Sequence, residues 1–150
     1  MEFNGFSTIN FTPDDGHGFI YVLCWIAEGR EIPFYVGETV SIWQRLDNYF
    51  RPWFWAHNDF NVGEAVKYFY ARNYRVVVKY EPSKGLLEKD RKNEETELIA
   101  ALRAEGYTLL NHPCPLGRLG YDHLKTTEAE QRLKVQGFVD KIIAARKNSN

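Results

Sequence analysis

Gly18-Phe19-Ile20-Tyr21-Val22-Leu23-Cys24-Trp25-Ile26-Ala27-Glu28-Gly29-Arg30-Glu31-Ile32-Pro33-Phe34-Tyr35-Val36-Gly37 is the stretch that decides the fold. Gly18–Ile26 is dense in aliphatic, β-branched and aromatic residues, as a buried strand requires. Ala27–Glu31 is a polar break containing a glycine, and Ile32–Val36 returns to apolar residues. The pattern predicts a β-hairpin. A turn centred on Glu28 sets Tyr21 opposite Tyr35 on one sheet face, where both phenols can line one site.

Outward from the hairpin, Thr39 or Ser41 can cap a helix that runs to about Phe50 and stops before Pro52. Ile42, Arg45 and Tyr49 share one face of it, and Trp43, Leu46 and Phe50 a neighbouring one. Residues 51–60 read as an aromatic loop, followed by a short helix over about 62–72 and a strand over Tyr74–Tyr80. A helix is expected over Gly85–Ala104, with Glu95, Leu98, Ile99 and Leu102 at the spacing of a single face. Tyr107–Asn111 reads as a short extended segment and His112–Gly120 as a Pro/Gly loop. Thr126 or Thr127 then opens a last amphipathic helix to about Arg146. The division is an N-terminal segment 1–17, a core 18–111, and a loop and C-terminal helix 112–150 packing on that core. The fold class is α+β: a small three-stranded antiparallel sheet flanked by helices, with an added C-terminal helix.

A chain of 150 residues makes one domain that buries roughly 68–70% of its unfolded surface. No run approaches the ~20 apolar residues of a membrane span, so no membrane partner is expected. Met1–Phe11 lacks a basic region and a continuous apolar core, so a secretory signal is not expected. Two cysteines, Cys24 and Cys114, suggest no disulfide framework, and a reducing cytoplasm is the expected location. Net charge is −1, with residues 1–40 holding one base against six acids and the remainder 18 bases against 14 acids. That distribution is compatible with nucleic-acid binding without arguing for it.

The hairpin tyrosines, Tyr35-Val36-Gly37, Arg45 on the following helix and a lone metal-binding type of carboxylate, Glu95, together resemble the GIY-YIG nuclease family. The resemblance covers about residues 18–111. It implies a metal-dependent DNA endonuclease with Mg²⁺ or Mn²⁺ as cofactor. By position it makes Tyr21, Tyr35, Arg45, Tyr49 and Glu95 catalytic, with Glu95 the metal ligand. Gly37 closes the second motif, and Asn111, after Leu109-Leu110, resembles the asparagine that closes the family core. Gly37, Arg51 and Asn111 are the substrate-binding candidates. Glu38 stands where some relatives carry lysine, and the first motif has one extra residue between Gly18 and Tyr21. An inactive nucleic-acid-binding module on the same fold is the alternative.

The chemistry explains why these residue types belong together. Phosphodiester hydrolysis needs a nucleophilic water, neutralised phosphoryl oxygens and help for the departing oxygen. Arg45 offers an always-charged fork, and Glu95 offers hard oxygen to Mg²⁺. Tyr21 is the candidate general base, with Tyr35 orienting water or phosphate, and Tyr49 able to exchange roles with either. A phenol near pKa 10 needs positive charge or alkaline conditions to act so. Taken singly, each of these residues reads as packing or surface charge, and only the set carries weight. The aromatic run Trp43–Phe60 suits either core filling or base stacking, and core filling is expected. Specificity must then come from residues 51–73, the C-terminal region, or a homodimer or protein partner.

Overall fold

A computed structural model describes residues 18–148; the segment 1–17 lies outside the described residues. Three strands, β1 (Phe19–Ala27), β2 (Arg30–Thr39) and β3 (Val76–Pro82), form an antiparallel sheet in the order β2-β1-β3. Among the described residues four helices complete the α+β fold: α1 (Ile42–Phe50), α2 (His57–Ala71), α3 (Glu88–Ala104) and α4 (Glu128–Asn148). Among the described residues no helix is long and apolar enough to cross a membrane.

The hairpin forms, but its register differs from the expected one. Ala27 pairs with Arg30, so the turn has two residues, Glu28 and Gly29, at φ 53° and 75°. Both central residues at positive φ match the right-handed twist of the flanking strands. The ladder then slips at Leu23/Cys24, leaving Phe34 as a bulge, and beyond it Tyr21 faces Gly37 while Leu23 faces Tyr35. A two-residue turn without that extra residue would put Tyr35 on the opposite face from Tyr21. The bulge restores the shared face, and the two phenols sit diagonally rather than opposite one another. Pro33 is tolerated because β2 is an edge strand.

Both faces of the sheet are covered. Phe19, Tyr21, Leu23 and Trp25 point with Phe34 and Tyr35 into the main core, shared with α1, α2 and α4. Ile20 and Val36 point the other way with Leu109, against Leu98, Ile99 and Leu102 of α3. The α3 stripe is therefore a packing face, as its spacing predicts. α2 lies deepest, with Phe60 to Val66 all buried. α4 lays Val135, Phe138, Val139, Ile142 and Ile143 on this core. Polar pins lock it there: Gln131 Nε2 donates to Asn61 Oδ1 at 2.9 Å, and Arg132 Nε to Glu64 Oε2 at 3.1 Å.

Several boundaries move: β2 extends to Arg30–Thr39, α3 opens at Glu88 rather than Gly85, and two further shifts have a local cause. α2 begins at His57, inside the expected loop, with Asp59 in its first turn, where a carboxylate complements the positive end of the helix. β3 starts at Val76 because Asn73 at φ 66° and the bond from Tyr74 N to Phe69 O close the end of α2. α1 begins as expected, its N-cap Ser41 accepting from Gln44 N. Gly63 allows α1 and α2 to touch: a Cβ there would lie 2.2 Å from the Tyr49 carbonyl oxygen.

The aromatic run is only partly core. Phe60 and Tyr49 are buried, but Trp53 and Trp55 are 74% and 69% exposed and Trp43 49%. For these three tryptophans the expectation of core filling fails. Residues 51–56 run outside the sheet–helix layers, and alternation along them turns Phe54 inward and both tryptophans outward.

Candidate active site

Four elements meet at the end of the hairpin away from its turn. Tyr21 comes from β1, Tyr35 from β2 beyond the bulge, and Arg45 and Tyr49 from consecutive turns of α1. The fourth element, α3, brings Glu95.

The Tyr21 and Tyr49 hydroxyls are hydrogen-bonded to each other. Tyr35 meets the Tyr49 ring edge-on at 6.4 Å. Gly37 lies directly beneath the Tyr21 phenol: a Cβ there would fall 2.2 Å from its oxygen. The absence of a side chain there leaves room for that ring. The phenols are themselves core residues, exposed by only 1–6%. Burial, the largest influence, pushes Tyr35 up to about 12, raises Tyr21 further and lifts Tyr49 well above the usual phenol range. Arg45 pulls all three down without offsetting this.

Arg45 stands at the mouth of the site. Its Nη1 is 3.2 Å from Asp59 Oδ1, while its Nε is buried and has no hydrogen-bond partner. Burial works against its charge, but Tyr21, Tyr49 and Asp59 outweigh that and hold it protonated. Asn58 Nδ2 donates to the Tyr35 hydroxyl at 3.1 Å.

Glu95 is half-buried. Burial lifts its carboxyl above the usual range and the Glu38 charge adds to this, while Lys92, the Glu38 backbone N–H and Arg45 oppose the rise. Its charge is felt in turn at Tyr21 and Tyr35. Glu38 is engaged by Arg91, Nε to Oε2 2.9 Å, and the Arg91 stem fills the space over Gly18. The lone metal candidate thus has a second carboxylate beside it, already neutralised by an arginine.

Two candidates stand apart. Asn111 is buried and its amide is engaged with backbone: Val36 N donates to Oδ1 at 2.9 Å, and Nδ2 donates to Val36 O at 2.7 Å. It clasps β2 beside Gly37. Arg51 is exposed at the C-cap of α1.

Asn58, Asp59 and Arg91 were not foreseen. Arg91 carried a usable signal, lying four residues before Glu95 on the same helix face. Asn58 and Asp59 carried none, since their reach depends on how α2 crosses α1.

The chain matches no family model, no curated protein and no solved structure. Motif spacing and this convergence are what a functional reading has to stand on.

Proposed function

We propose that the protein is a metal-dependent DNA endonuclease of the GIY-YIG type. The observation that carries the reading is the meeting of three phenols, an arginine and a carboxylate, drawn from four elements, around Gly37. Arg45 supports it further. Its side chain is 36% exposed beside the phenols with Nη1 held by Asp59, so an always-charged guanidinium is presented where a phosphate could meet it.

The donor set also fits a hard cation. Glu95 presents carboxylate oxygen in a half-buried position, and Mg²⁺ is typically held by one or two carboxylates with substrate phosphate and water. Among the described residues no three His, Cys, Asp or Glu side chains cluster, so DNA itself would complete the site. Bound there, Mg²⁺ or Mn²⁺ would neutralise charge on the phosphoryl group.

The chain's own residues do the rest. Arg45 clamps the phosphate; comparable arginines contribute about 10³–10⁵ in rate. Water oxygen bonds to phosphorus as the bond to the departing sugar oxygen breaks. Tyr21, as phenolate, takes the water's proton, and the departing oxygen is protonated from solvent. Tyr35, steadied by Asn58, orients the water, and Tyr49 holds Tyr21 in place. We place this activity in a reducing cytoplasm, in keeping with two free cysteines.

Supercoiled and branched DNA incubated with Mg²⁺ or Mn²⁺ tests the reading. Cleavage is expected, and Glu95→Ala and Arg45→Ala should lose it while keeping their melting temperature. A Glu95→Ala protein that cuts as well as the parent overturns the metal role. The near-complete burial of the phenols favours one second reading, a binding module whose site stays closed. DNA bound but left uncut with either metal from pH 6 to pH 9 selects that reading.

A further inference from the structure

Exposed tryptophan is costly, since about 150–250 Å² of ring surface per residue is left without apolar cover. Here three of four tryptophans are exposed, and two of them, Trp53 and Trp55, flank a single anchored residue. Phe54 stacks on Tyr121 at 4.7 Å and meets Phe60 edge-on at 5.1 Å, and the Tyr121 hydroxyl donates to its carbonyl. Ala56 N closes the segment onto Trp53 O at 2.9 Å. Trp55 is backed by the His123 ring at 5.4 Å, and His57 by Tyr121 at 4.4 Å. The two rings are therefore presented on a fixed support.

We propose that Trp53 and Trp55 form a stacking platform for unpaired nucleobases of the strand whose phosphate reaches Arg45. The inference rests on the nuclease reading for the position of that phosphate. Continuity is the first argument. Trp55 stands four residues before Asp59, which holds Arg45, so their backbones are at most about 14 Å apart. Charge is the second. Residues 51–58 contain no carboxylate and one exposed arginine, Arg51. Residues 118–125, stacked against them, carry exposed Arg118 and Lys125 against one acid, Asp122, whose carboxylate accepts from Leu124 N, while Glu128 at the start of α4 is felt at Tyr121. Cations around flat, exposed rings suit a single strand, where each base offers a π-face and each linkage a negative charge. Paired DNA keeps its base faces stacked and has nothing to offer these rings.

The test uses the Glu95→Gln protein in chelator-containing buffer, so that binding is read without cleavage. Labelled oligothymidylate and a blunt duplex of equal length are compared by fluorescence anisotropy. Trp53→Ala and Trp55→Ala should each weaken single-strand binding roughly 5- to 150-fold, with a smaller loss on duplex. Trp55→Phe should recover most of it, and melting temperatures should not fall. Equal single-strand affinity in the alanine variants overturns the platform, as does an equal loss on duplex. Light scattering that shows a dimer dissociated by Trp55→Ala also overturns it and assigns the surface to a second copy. If the parent cuts DNA while the alanine variants keep full single-strand affinity, the platform alone fails. If the tryptophans bind single strands but no condition yields cleavage, the nuclease reading alone fails.

Discussion

Gly37 is under a steric demand that its size conceals. A methyl group there would drive the Tyr21 phenol out of its seat between β2 and α1, since its hydroxyl oxygen and nearest ring carbons lie 2.2–2.7 Å from where Cβ would stand. Overpacking of this kind costs about 1–3 kcal/mol. Gly37→Ala should therefore lower the melting temperature by roughly 2–12 °C, read by calorimetry, and reduce cleavage with it.

The phenols set the pH behaviour. A base acts as phenolate, and the pKa of Tyr35 stands at about 12 with Tyr21 higher still. Everywhere below those values the reactive fraction grows tenfold per unit. The logarithm of the cleavage rate should rise with pH at a slope near one between pH 7 and pH 9. A flat profile would count against a phenolate. Glu95 offers a separate sign. Its raised carboxyl means that the folded state disfavours its charge, so stability present in acid is lost as pH climbs through the folded pKa. At pH 7 Glu95→Gln, which keeps an acceptor for the Glu38 N–H, should melt higher than the parent and yet not cut. The gap should close in acid.

Among the elements, the first turn of α2 governs the site from outside it. Asn58 reaches Tyr35, and Asp59 reaches Arg45, because Gly63 lets α2 cross α1 closely. The Arg45–Asp59 pair is partly exposed, so its direct worth to stability is under about 1 kcal/mol. Its worth to geometry is larger, since small misplacements of a clamp cost up to about 10²-fold in rate. Asp59→Asn should leave the melting temperature nearly unchanged while kcat falls roughly 10- to 100-fold with little change in KM, as steady-state kinetics would show.

This turn also marks where sequence reasoning ran out. Ser41, the apolar runs of β1 and β2, and the α3 stripe announce themselves because cap chemistry and periodicity are local. The start of α2 did not, since Asn58-Asp59 reads equally as a turn and the aromatic run has no helical period. The hairpin was legible as a hairpin, but its register hung on an unpredicted bulge at Phe34. Tyr21, Arg45 and Glu95 could be named from the family resemblance, whereas Asn58 and Asp59 depend on a helix crossing. The exposure of Trp53 and Trp55 depends on which side of a loop faces out, and composition does not say.

At the scale of the whole molecule, the sheet is a small partition between unequal halves. One side carries the large core beneath α1, α2 and α4, and the other a thin layer beneath α3. The hairpin turn lies at the end opposite the phenols, beside an open pocket of about 480 Å³ lined by Trp25, Ile32, Tyr107 and Ile142. The phenol cluster and this pocket therefore lie at opposite ends of the hairpin, with the bulge between them. α4 seals the larger core through Val135, Val139 and Ile143 and is pinned to α2 by Gln131 and Arg132.

The amide of Asn111 has a colloidal consequence as well as a structural one. β2 borders the sheet, and a bare border invites a neighbour to add a strand. By engaging both backbone groups of Val36, with Leu110 N on Phe34 O at 2.8 Å, the chain seals its own selvedge. Asn111→Ala should unseal it and turn a monodisperse solution into one that assembles with concentration, visible as rising turbidity and amyloid-dye fluorescence before any loss of helical signal.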